Sequence, residues 1–280
     1  MYIGYPCVNY TIKRSTNNTF KLSSYSHQKV RETVQKNIDH FWDILKFNLR
    51  YDIKFFRLGS QFIPFASHDI FDFNWQDEFR DQLEELGEFI REHEFFITMH
   101  PGQYVVLNSK NQDVIRRSIR ELEWHADLLD LMKIDGLIQI HIGGIFDNKP
   151  EAINRFLNSY NSLPYKVRRR LAIENDDRLY NFEDVLMIAR STGAHIVFDV
   201  YHDRINPSNY SLQEILDILK DNLIIDYSSG DDRGKHADTL DAYDFLQFYR
   251  TVEGYNPKIM FEIKDKEKSV LTAKDLIKTK

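Results

Sequence analysis

The sequence predicts a single-domain α/β fold, a (β/α)8 TIM barrel, built from eight strand–helix units across residues 1–280. Short runs of β-branched or aromatic residues alternate with longer helical segments, which is typical of parallel strands joined by crossover helices. Such a barrel commonly has ~250 residues in one domain. No segment rich in Gly, Pro or Ser divides the chain. A doubly wound open sheet is the alternative, but eight even units favour a closed barrel.

The predicted strands are evenly spaced along the chain. They are Tyr2–Tyr5, Lys54–Leu58, Phe95–Met99, Leu137–Ile140, Leu171–Glu174, His195–Asp199, Leu223–Asp226 and Lys258–Glu262. Between them lie amphipathic segments such as 76–94, in which apolar residues recur at three- and four-residue steps. Gly193 fits the C-terminal cap of the helix before the sixth strand, and Pro257 fits a helix end before the eighth.

The composition is typical of a soluble globular protein, with 42% hydrophobic and 29% charged residues. The first residues carry no basic segment followed by a long apolar run, and no stretch approaches the ~18 apolar residues of a membrane span. We therefore expect an intracellular, cytoplasmic protein with no membrane association and no obligate protein partner. Cys7 is the only cysteine, which excludes an intrachain disulfide and a thiolate metal cluster. The net charge of −6 argues mildly against a protein that coats DNA. It does not exclude a nucleic-acid enzyme, because such an enzyme can concentrate acidic groups at metal ligands and place basic residues elsewhere.

Metal-binding residue types collect where the predicted strands end. His100 and His141 directly follow strands, while His68, His202 and His236 lie in loops after strands two, six and seven. The carboxylates at the ends of strands five to eight are Glu174, Asp199, Asp226 and Glu262. In a barrel these ends meet at one face, where the active site forms. The sequence therefore predicts a dense cluster of histidine and carboxylate ligands.

Such a cluster requires cations, since converging charges would otherwise repel one another and lose hydration. Imidazole and carboxylate without thiolate suit Mn²⁺ or Zn²⁺, with Mg²⁺ as a further candidate, and Glu174 and Asp199 can bridge two ions. We expect two to three divalent ions per chain, foremost Mn²⁺. Ions roughly 3.5–4 Å apart activate water and stabilise both oxygens in phosphodiester displacement, which favours phosphoryl transfer. The predicted catalytic residues are Glu174, His100, His141, Asp199 and Glu262.

Each of these residues also has a structural interpretation. An acidic residue that ends a strand is more often the N-cap or turn residue of the next element. The remaining histidines are assigned no chemistry; they are His27, His40, His93, His125 and His195. The stretch Gly230–Lys235 lacks the GxxxxGK[ST] pattern and is not predicted to be a phosphate-binding loop.

An ordered series of short motifs runs nearly from end to end of the chain. It comprises Tyr5-Pro6-Cys7-Val8-Asn9, Arg57-Leu58-Gly59-Ser60, Ser67-His68, His100-Pro101-Gly102-Gln103-Tyr104, His141 with Gly143-Gly144, Glu174-Asn175-Asp176, Asp199 with His202, His236-Ala237-Asp238 and Glu262-Ile263-Lys264-Asp265-Lys266-Glu267. This series resembles that of the UV damage endonuclease family. The resemblance implies a TIM-barrel repair enzyme that acts on damaged double-stranded DNA and incises immediately 5′ of UV photoproducts. It also implies 3′-hydroxyl and 5′-phosphate ends and up to three divalent ions.

The resemblance further implies roles for single residues. The positions that match metal ligands of the family are His68, His100, His141, Glu174, Asp199, His202, His236 and Glu262. Gln103 and Tyr104 match a pair inserted into the duplex at the lesion, and Tyr5 and Asn9 match residues that contact the damaged bases. An aromatic wedge with an amide can replace the stacking and pairing of an extruded nucleotide. The alternative is that Tyr104 follows an ordinary turn and packs in the barrel.

The chain departs from the family pattern on the seventh strand. The family often carries a Lys two residues before a His ligand there, whereas this chain has Ile224 and Asp226. Ile224 cannot bind a metal ion, but Asp226 can, through an oxygen that is harder than imidazole nitrogen. We therefore expect Asp226 to be a ligand of a weakly held third ion, with a preference tilted from Zn²⁺ towards Mn²⁺ or Mg²⁺.

Other functions remain open on the sequence alone. An apurinic/apyrimidinic endonuclease of the endonuclease IV type would share the barrel, metals and bond cleaved, although Gln103 and Tyr104 near His100 favour the UV enzyme. A TIM-barrel sugar isomerase or epimerase would need fewer histidines, and a metal-storage or scaffold protein would not need ligands at the rim. The basic groups Arg116–Arg120 and Lys166–Arg170 are expected to be solvated helix faces and are weak evidence for phosphate binding.

Overall fold

Eight parallel strands form a closed barrel in the computed structural model, which describes residues 1–230 and 235–278. The strands are β1 (Tyr2–Pro6), β2 (Phe55–Leu58), β3 (Phe96–Met99), β4 (Leu137–His141), β5 (Leu171–Glu174), β6 (His195–Asp199), β7 (Ile224–Tyr227) and β8 (Lys258–Phe261). Each pairs with the next, and β8 closes onto β1 through the aligned residues Gly4 and Met260. The predicted (β/α)8 barrel is confirmed, and the predicted strand ends differ from the observed ones by at most one residue.

The helices of the described residues surround the barrel. They are α1 (His27–Arg50), α2 (Trp75–Glu78), α3 (Arg80–Glu92), α4 (Gln112–Leu131), α5 (Lys149–Ser162), α6 (Tyr165–Arg168), α7 (Phe182–Thr192), α8 (Val200–Ile205), α9 (Leu212–Leu219), α10 (Ala242–Val252) and α11 (Glu267–Lys278). Among them, none is both long enough and apolar enough to cross a membrane. Within the Gly230–Lys235 stretch, residues 231–234 lie outside the described part of the chain.

The helix expected over residues 76–94 is divided into α2 and α3 at Phe79. Phe79 leaves the helical backbone with φ −112° and ψ 11°, and its ring is buried beside Phe73 in the core. The apolar stripe that follows is buried as the periodicity predicts. Gly193 caps α7 with a left-handed φ of 76°, which confirms the predicted helix end.

The inside of the barrel has an apolar floor with a polar layer directly above it. The floor residues form one buried cluster of Phe55, Leu137, Ala172, Val197, Ile224 and Met260. Because side chains alternate along a strand, the residue two positions further on points into the barrel as well. In all six strands that residue is polar or charged: Arg57, Gln139, Glu174, Asp199, Asp226 and Glu262. The strand periodicity therefore stacks four carboxylates and their partners on an apolar base.

Gly87 is the closest approach between α3 and the end of α4. A Cβ at this position would lie 1.7 Å from the carbonyl oxygen of Met132, a backbone atom that cannot swing away. We predict that Gly87→Ala destabilises the protein by about 1–3 kcal/mol, because this overpacking outweighs the usual gain in helix propensity. Chemical denaturation measures the change. The matched control is Gly254→Ala, since no heavy atom lies within 4 Å of its added Cβ; equal stabilities of the two variants would contradict the prediction.

Candidate metal centre

Three histidines surround one buried carboxylate at the carboxyl ends of β3 to β6. Oε2 of Glu174 lies 3.3 Å from Nε2 of His100 and 3.5 Å from Nε2 of His141. Oε1 of Glu174 lies 3.4 Å from Nδ1 of His202. Gln139, two residues before His141, donates from Nε2 to Oε2 of Glu174 at 2.7 Å. Since the Glu174 side chain is only 1% exposed, its charge is balanced by these neighbours rather than by water.

Asp199 brings the third of these histidines into place through a helix cap. It ends β6 and caps α8, where its Oδ1 accepts a hydrogen bond from the backbone N of His202 at 2.8 Å. The same turn puts Nδ1 of His202 3.4 Å from Oδ2 of Asp199. That Oδ2 is buried and has no hydrogen-bond partner among the described residues. The capping role and a ligand role therefore use different oxygens of one carboxylate.

The candidate ligands form three adjoining groups. In each group the ligand atoms lie within 4.8 Å of one another, and the groups are His100–His141–Glu174, Glu174–Asp199–His202 and Asp199–Asp226–Glu262. Neighbouring groups share Glu174 or Asp199, the two carboxylates predicted to bridge ions. Nε2 of His236 lies 3.6 Å from Oε2 of Glu262, at the edge of the third group.

A buried arginine occupies the third group. Nη2 of Arg57 donates to Oδ1 and Oδ2 of Asp226 at 2.8 and 2.7 Å, and Nη1 contacts Oε1 of Glu262. Nη2 also donates to Oε1 of Gln139 at 2.7 Å. Nε2 of Gln139 donates in turn to Oδ2 of Asp226 at 2.6 Å. Both oxygens of Asp226 therefore already accept hydrogen bonds from the protein.

The protein's own groups do not neutralise all of the buried carboxylates. Burial, reinforced by Glu174, raises the pKa of Asp199 well above its usual range. Burial raises the pKa of Asp226 to about 7 although Arg57 opposes the shift. Burial disfavours the charge of His202, but Glu174 and Asp199 outweigh it and raise the pKa of His202 to about 11. For Glu174 the histidines outweigh burial, and its pKa is well below the usual range. The neighbouring groups therefore favour the charged form of Glu174 but do not offset the burial of Asp199 and Asp226.

The donor set fits divalent ions. Nδ1 of His141, Nδ1 of His236 and Oδ2 of Asp199 are buried polar atoms without a hydrogen-bond partner among the described residues. Nitrogen and oxygen donors without sulfur suit Zn²⁺ or Mn²⁺. His100, His141, His202 and His236 line one cleft of about 520 Å³, so that the centre is accessible to a ligand. The two groups that share Glu174 are the strongest candidate ion sites.

His68 lies apart from the three ligand groups. Its side chain is exposed on the loop after β2, and its Nδ1 accepts a hydrogen bond from the backbone N of Ile70 at 3.2 Å. Its role as a metal ligand stays a prediction. Among the histidines assigned no chemistry, His125 is fully buried and its Nδ1 hydrogen-bonds the backbone oxygen of Glu121 at 2.7 Å.

Gln103 and Tyr104 are exposed on the loop after β3, at the rim of the barrel. Tyr104 is 59% exposed, and its hydroxyl donates to Oε1 of Glu121 at 3.0 Å. The ring lies against Gly102, where an added Cβ would come within 2.4 Å of it. Tyr104 therefore does not pack inside the barrel. Gln103 lines the same cleft as His100.

Tyr5 and Asn9 lie inside the fold instead of on a surface. The hydroxyl of Tyr5 donates to Oδ1 of Asn48 at 2.6 Å and accepts from Nδ2 of Asn9 at 2.8 Å. Both residues are fully buried, and Oδ1 of Asn9 accepts from the backbone N of Ile12 at 3.1 Å. In this structure they hold the loop after β1. A contact with damaged bases stays a prediction.

The sequence reasoning assigned no role to several buried polar residues near the site. They are Arg57, Gln139, Glu121 and Glu267. Arg57 and Gln139 lie on strands, two positions after the inward-facing apolar residues Phe55 and Leu137. The two-residue periodicity of a strand could therefore have shown that they face into the barrel. Glu121 accepts hydrogen bonds from Tyr104 and Ser67, which links two loops of the rim. Glu267 accepts from the backbone N of Thr11 at 2.7 Å and ties the loop after β1 to α11.

Similarity to known proteins agrees with this arrangement. A family model described as UV-endonuclease UvdE matches residues 1–279. The chain belongs to this family. A UV DNA damage endonuclease of Clostridium perfringens is 36% identical over 97% of this chain and 69% of its own length. Another of Bacillus mycoides is 28% identical over 87% of this chain and 81% of its own.

Solved structures distinguish the family likeness from a likeness of fold. The crystal structure of SacUVDE superposes with a TM-score of 0.96 at 41% identity, covering 100% of this chain and 98% of that one. The 3-keto-D-glucoside 4-epimerase YcjR of E. coli reaches a TM-score of 0.59 at 14% identity, with complete coverage of both chains. The second likeness concerns the barrel alone, so it does not extend to the residues of the UvdE centre.

Binding of divalent ions to this UvdE centre should release protons. The pKa of His202 is raised to about 11, so the metal-free imidazole is protonated at neutral pH and must lose its proton to become a ligand. We predict that the apparent affinity for Mn²⁺ rises with pH, by about tenfold per unit for each proton released. Titration calorimetry in buffers of different ionisation enthalpy counts these protons.

Two variants show whether the released proton comes from His202 or from a histidine elsewhere in the protein. His202→Ala should release roughly one proton fewer than the parent protein. His27→Ala is the matched control, because His27 is exposed and pairs with Asp72 far from the centre. An unchanged proton count in His202→Ala would show that His202 is not a ligand.

Proposed function

We propose that the chain is a DNA repair endonuclease that incises the phosphodiester bond immediately 5′ of UV photoproducts and leaves 3′-hydroxyl and 5′-phosphate ends. Membership of the UvdE family supports the activity. The observation that carries the chemistry is the arrangement of Glu174, whose two oxygens face three histidines in an accessible cleft. One carboxylate shared by two ligand groups is the arrangement that a two-ion phosphodiester hydrolase requires.

The proposed ligands divide between the two groups that share Glu174. His100 and His141 would complete one ion site, and Asp199 and His202 would complete the other. Divalent ions such as Mn²⁺ supply water activation and charge neutralisation at the phosphate when bound. The chain's part is to fix the ligands: the cap on α8 orients Asp199, and Gln139 orients Glu174. His236 lines the same cleft, and its Nε2 lies 3.6 Å from Oε2 of Glu262.

Lesion recognition is proposed for the exposed pair Gln103 and Tyr104. Gln103 lines the cleft of His100, and Tyr104 lines the neighbouring cavity together with Glu121. A nucleotide displaced from the duplex at this pair would therefore lie close to the ion sites. Insertion of Tyr104 requires its hydroxyl to leave Glu121, which breaks a single hydrogen bond to a buried carboxylate. Contacts of Tyr5 and Asn9 with damaged bases would require the loop after β1 to rearrange, because both are buried.

One assay separates the candidate activities. The purified protein is incubated with Mn²⁺ and end-labelled duplexes that contain a UV photoproduct, an abasic site or no damage. The proposal expects a band that ends immediately 5′ of the photoproduct. Cleavage confined to the abasic duplex would instead identify an apurinic/apyrimidinic endonuclease. If no duplex is cleaved, the proposal fails and the alternative of a sugar isomerase or epimerase is favoured.

Glu174→Gln tests the shared carboxylate. The change keeps the size of the side chain but removes the charge that faces three histidines, and we expect incision to fall by at least about 100-fold. Circular dichroism and the melting temperature check that the fold is intact. Wild-type turnover in this variant, with ions still bound, would remove Glu174 from the mechanism.

Variants of the rim pair test lesion recognition. Tyr104→Ala and Gln103→Ala should weaken incision of damaged duplex while ion content is unchanged, because stacking on an aromatic ring contributes roughly 1–3 kcal/mol per base. Tyr104→Phe is the matched control: it keeps the ring and loses only the hydrogen bond to Glu121. Incision by both alanine variants at the parental rate would reject the assignment.

A further inference from the structure

The third ligand group differs from the other two because it already contains a guanidinium, a cation that does not lose its proton. The guanidinium of Arg57 bridges Asp226 and Glu262, two of the three carboxylates of that group. The side chains of Arg57 and Asp226 are 4% and 0% exposed, so this ion pair is inside the barrel. The two groups built on Glu174 contain histidines, which can lose a proton and bind an ion, in place of a permanent cation.

We propose that Arg57 is the third cation of this centre, so that the chain holds two divalent ions and not three. The guanidinium would take the place between Asp226 and Glu262 that a third ion would otherwise occupy. This inference rests on the proposed two-ion function and defines its metal content. It also revises the expectation that Asp226 binds a weakly held third ion.

The hydrogen bonds of Asp226 support this replacement. Its Oδ1 accepts from Arg57, and its Oδ2 accepts from both Arg57 and Gln139. An ion that bound Asp226 would have to displace the guanidinium. The displaced group would meet the apolar floor below, where Ile224 and Phe55 offer no acceptor. Breaking a buried ion pair without a substitute partner is strongly unfavourable.

The number of charges leads to the same result. With the histidine ligands neutral, as metal binding requires, the four carboxylates and one guanidinium give a net charge of about minus three when all are ionised. Two divalent ions change this to about plus one, a value that a bound phosphate or hydroxide can neutralise. A third divalent ion would leave about plus three in a largely buried cluster, which is unfavourable.

Metal content tests the inference directly, without DNA. The parent protein, Asp226→Asn and the double variant Arg57→Met/Asp226→Leu are dialysed against Mn²⁺ and analysed for bound manganese per chain. All three are expected to hold two ions, because none of the changes removes a ligand of the Glu174 groups. The double variant replaces the buried pair by apolar side chains of similar size, so that no single buried charge is left unpaired.

A third variant tests the guanidinium itself. Arg57→Met leaves the carboxylates of Asp226 and Glu262 without their cation, and we expect its content to rise from two to three Mn²⁺ per chain. If that variant fails to fold, as circular dichroism would show, the other three proteins still decide the question. Three ions in the parent and two in Asp226→Asn would overturn the inference. Incision of damaged DNA by a three-ion parent would refute only this inference, whereas a two-ion parent that cuts no damaged duplex would refute only the proposed function.

Discussion

The structure depends on how four carboxylates are kept at the top of an apolar barrel. Glu174, Asp199, Asp226 and Glu262 each stand two residues beyond an apolar floor residue, so they are withdrawn from water by the strand geometry itself. Burial of a charge is unfavourable unless it is paired. The ion pair of Arg57 with Asp226 and Glu262 supplies part of the compensation. The histidines around Glu174 supply another part, and the proposed divalent ions would supply the rest.

This constraint divides the centre into two halves. On the side of β2, β7 and β8, the guanidinium of Arg57 donates hydrogen bonds to both oxygens of Asp226 and contacts one oxygen of Glu262. Gln139, which reaches across from β4, donates a further hydrogen bond to Asp226. On the side of β3 to β6, Glu174 and Asp199 face histidines whose nitrogens can bind metal. One half is therefore already paired within the protein, and the other half is open to the proposed ions and substrate. Rigid support of ligand residues is what keeps such a centre organised before a substrate binds.

The sequence predicted the barrel and most of the centre because strand periodicity and strand ends are local signals. The positions of Glu174, Asp199, His100, His141 and His202 followed once the strand ends were assigned, because parallel strand ends meet on one face. Contacts between distant strands were not predictable in the same way. Whether Asp226 faces an ion or an arginine depends on a residue 169 positions away.

Burial was the other feature that the sequence did not reveal. Tyr5 and Asn9 matched family motifs, yet hydrogen bonds to Asn48 and Ile12 place them inside the fold. Likewise, the break at Phe79 follows from the packing of its ring beside Phe73 and not from helical periodicity.

The most direct measurement is anomalous X-ray diffraction from crystals grown with Mn²⁺, recorded at the manganese absorption edge. The account predicts two anomalous peaks per chain, one beside His100 and His141 and one beside Asp199 and His202, with Arg57 still bound to Asp226. A third peak between Asp226 and Glu262, with the guanidinium displaced, would contradict the claim that an internal arginine completes the charge balance of this centre.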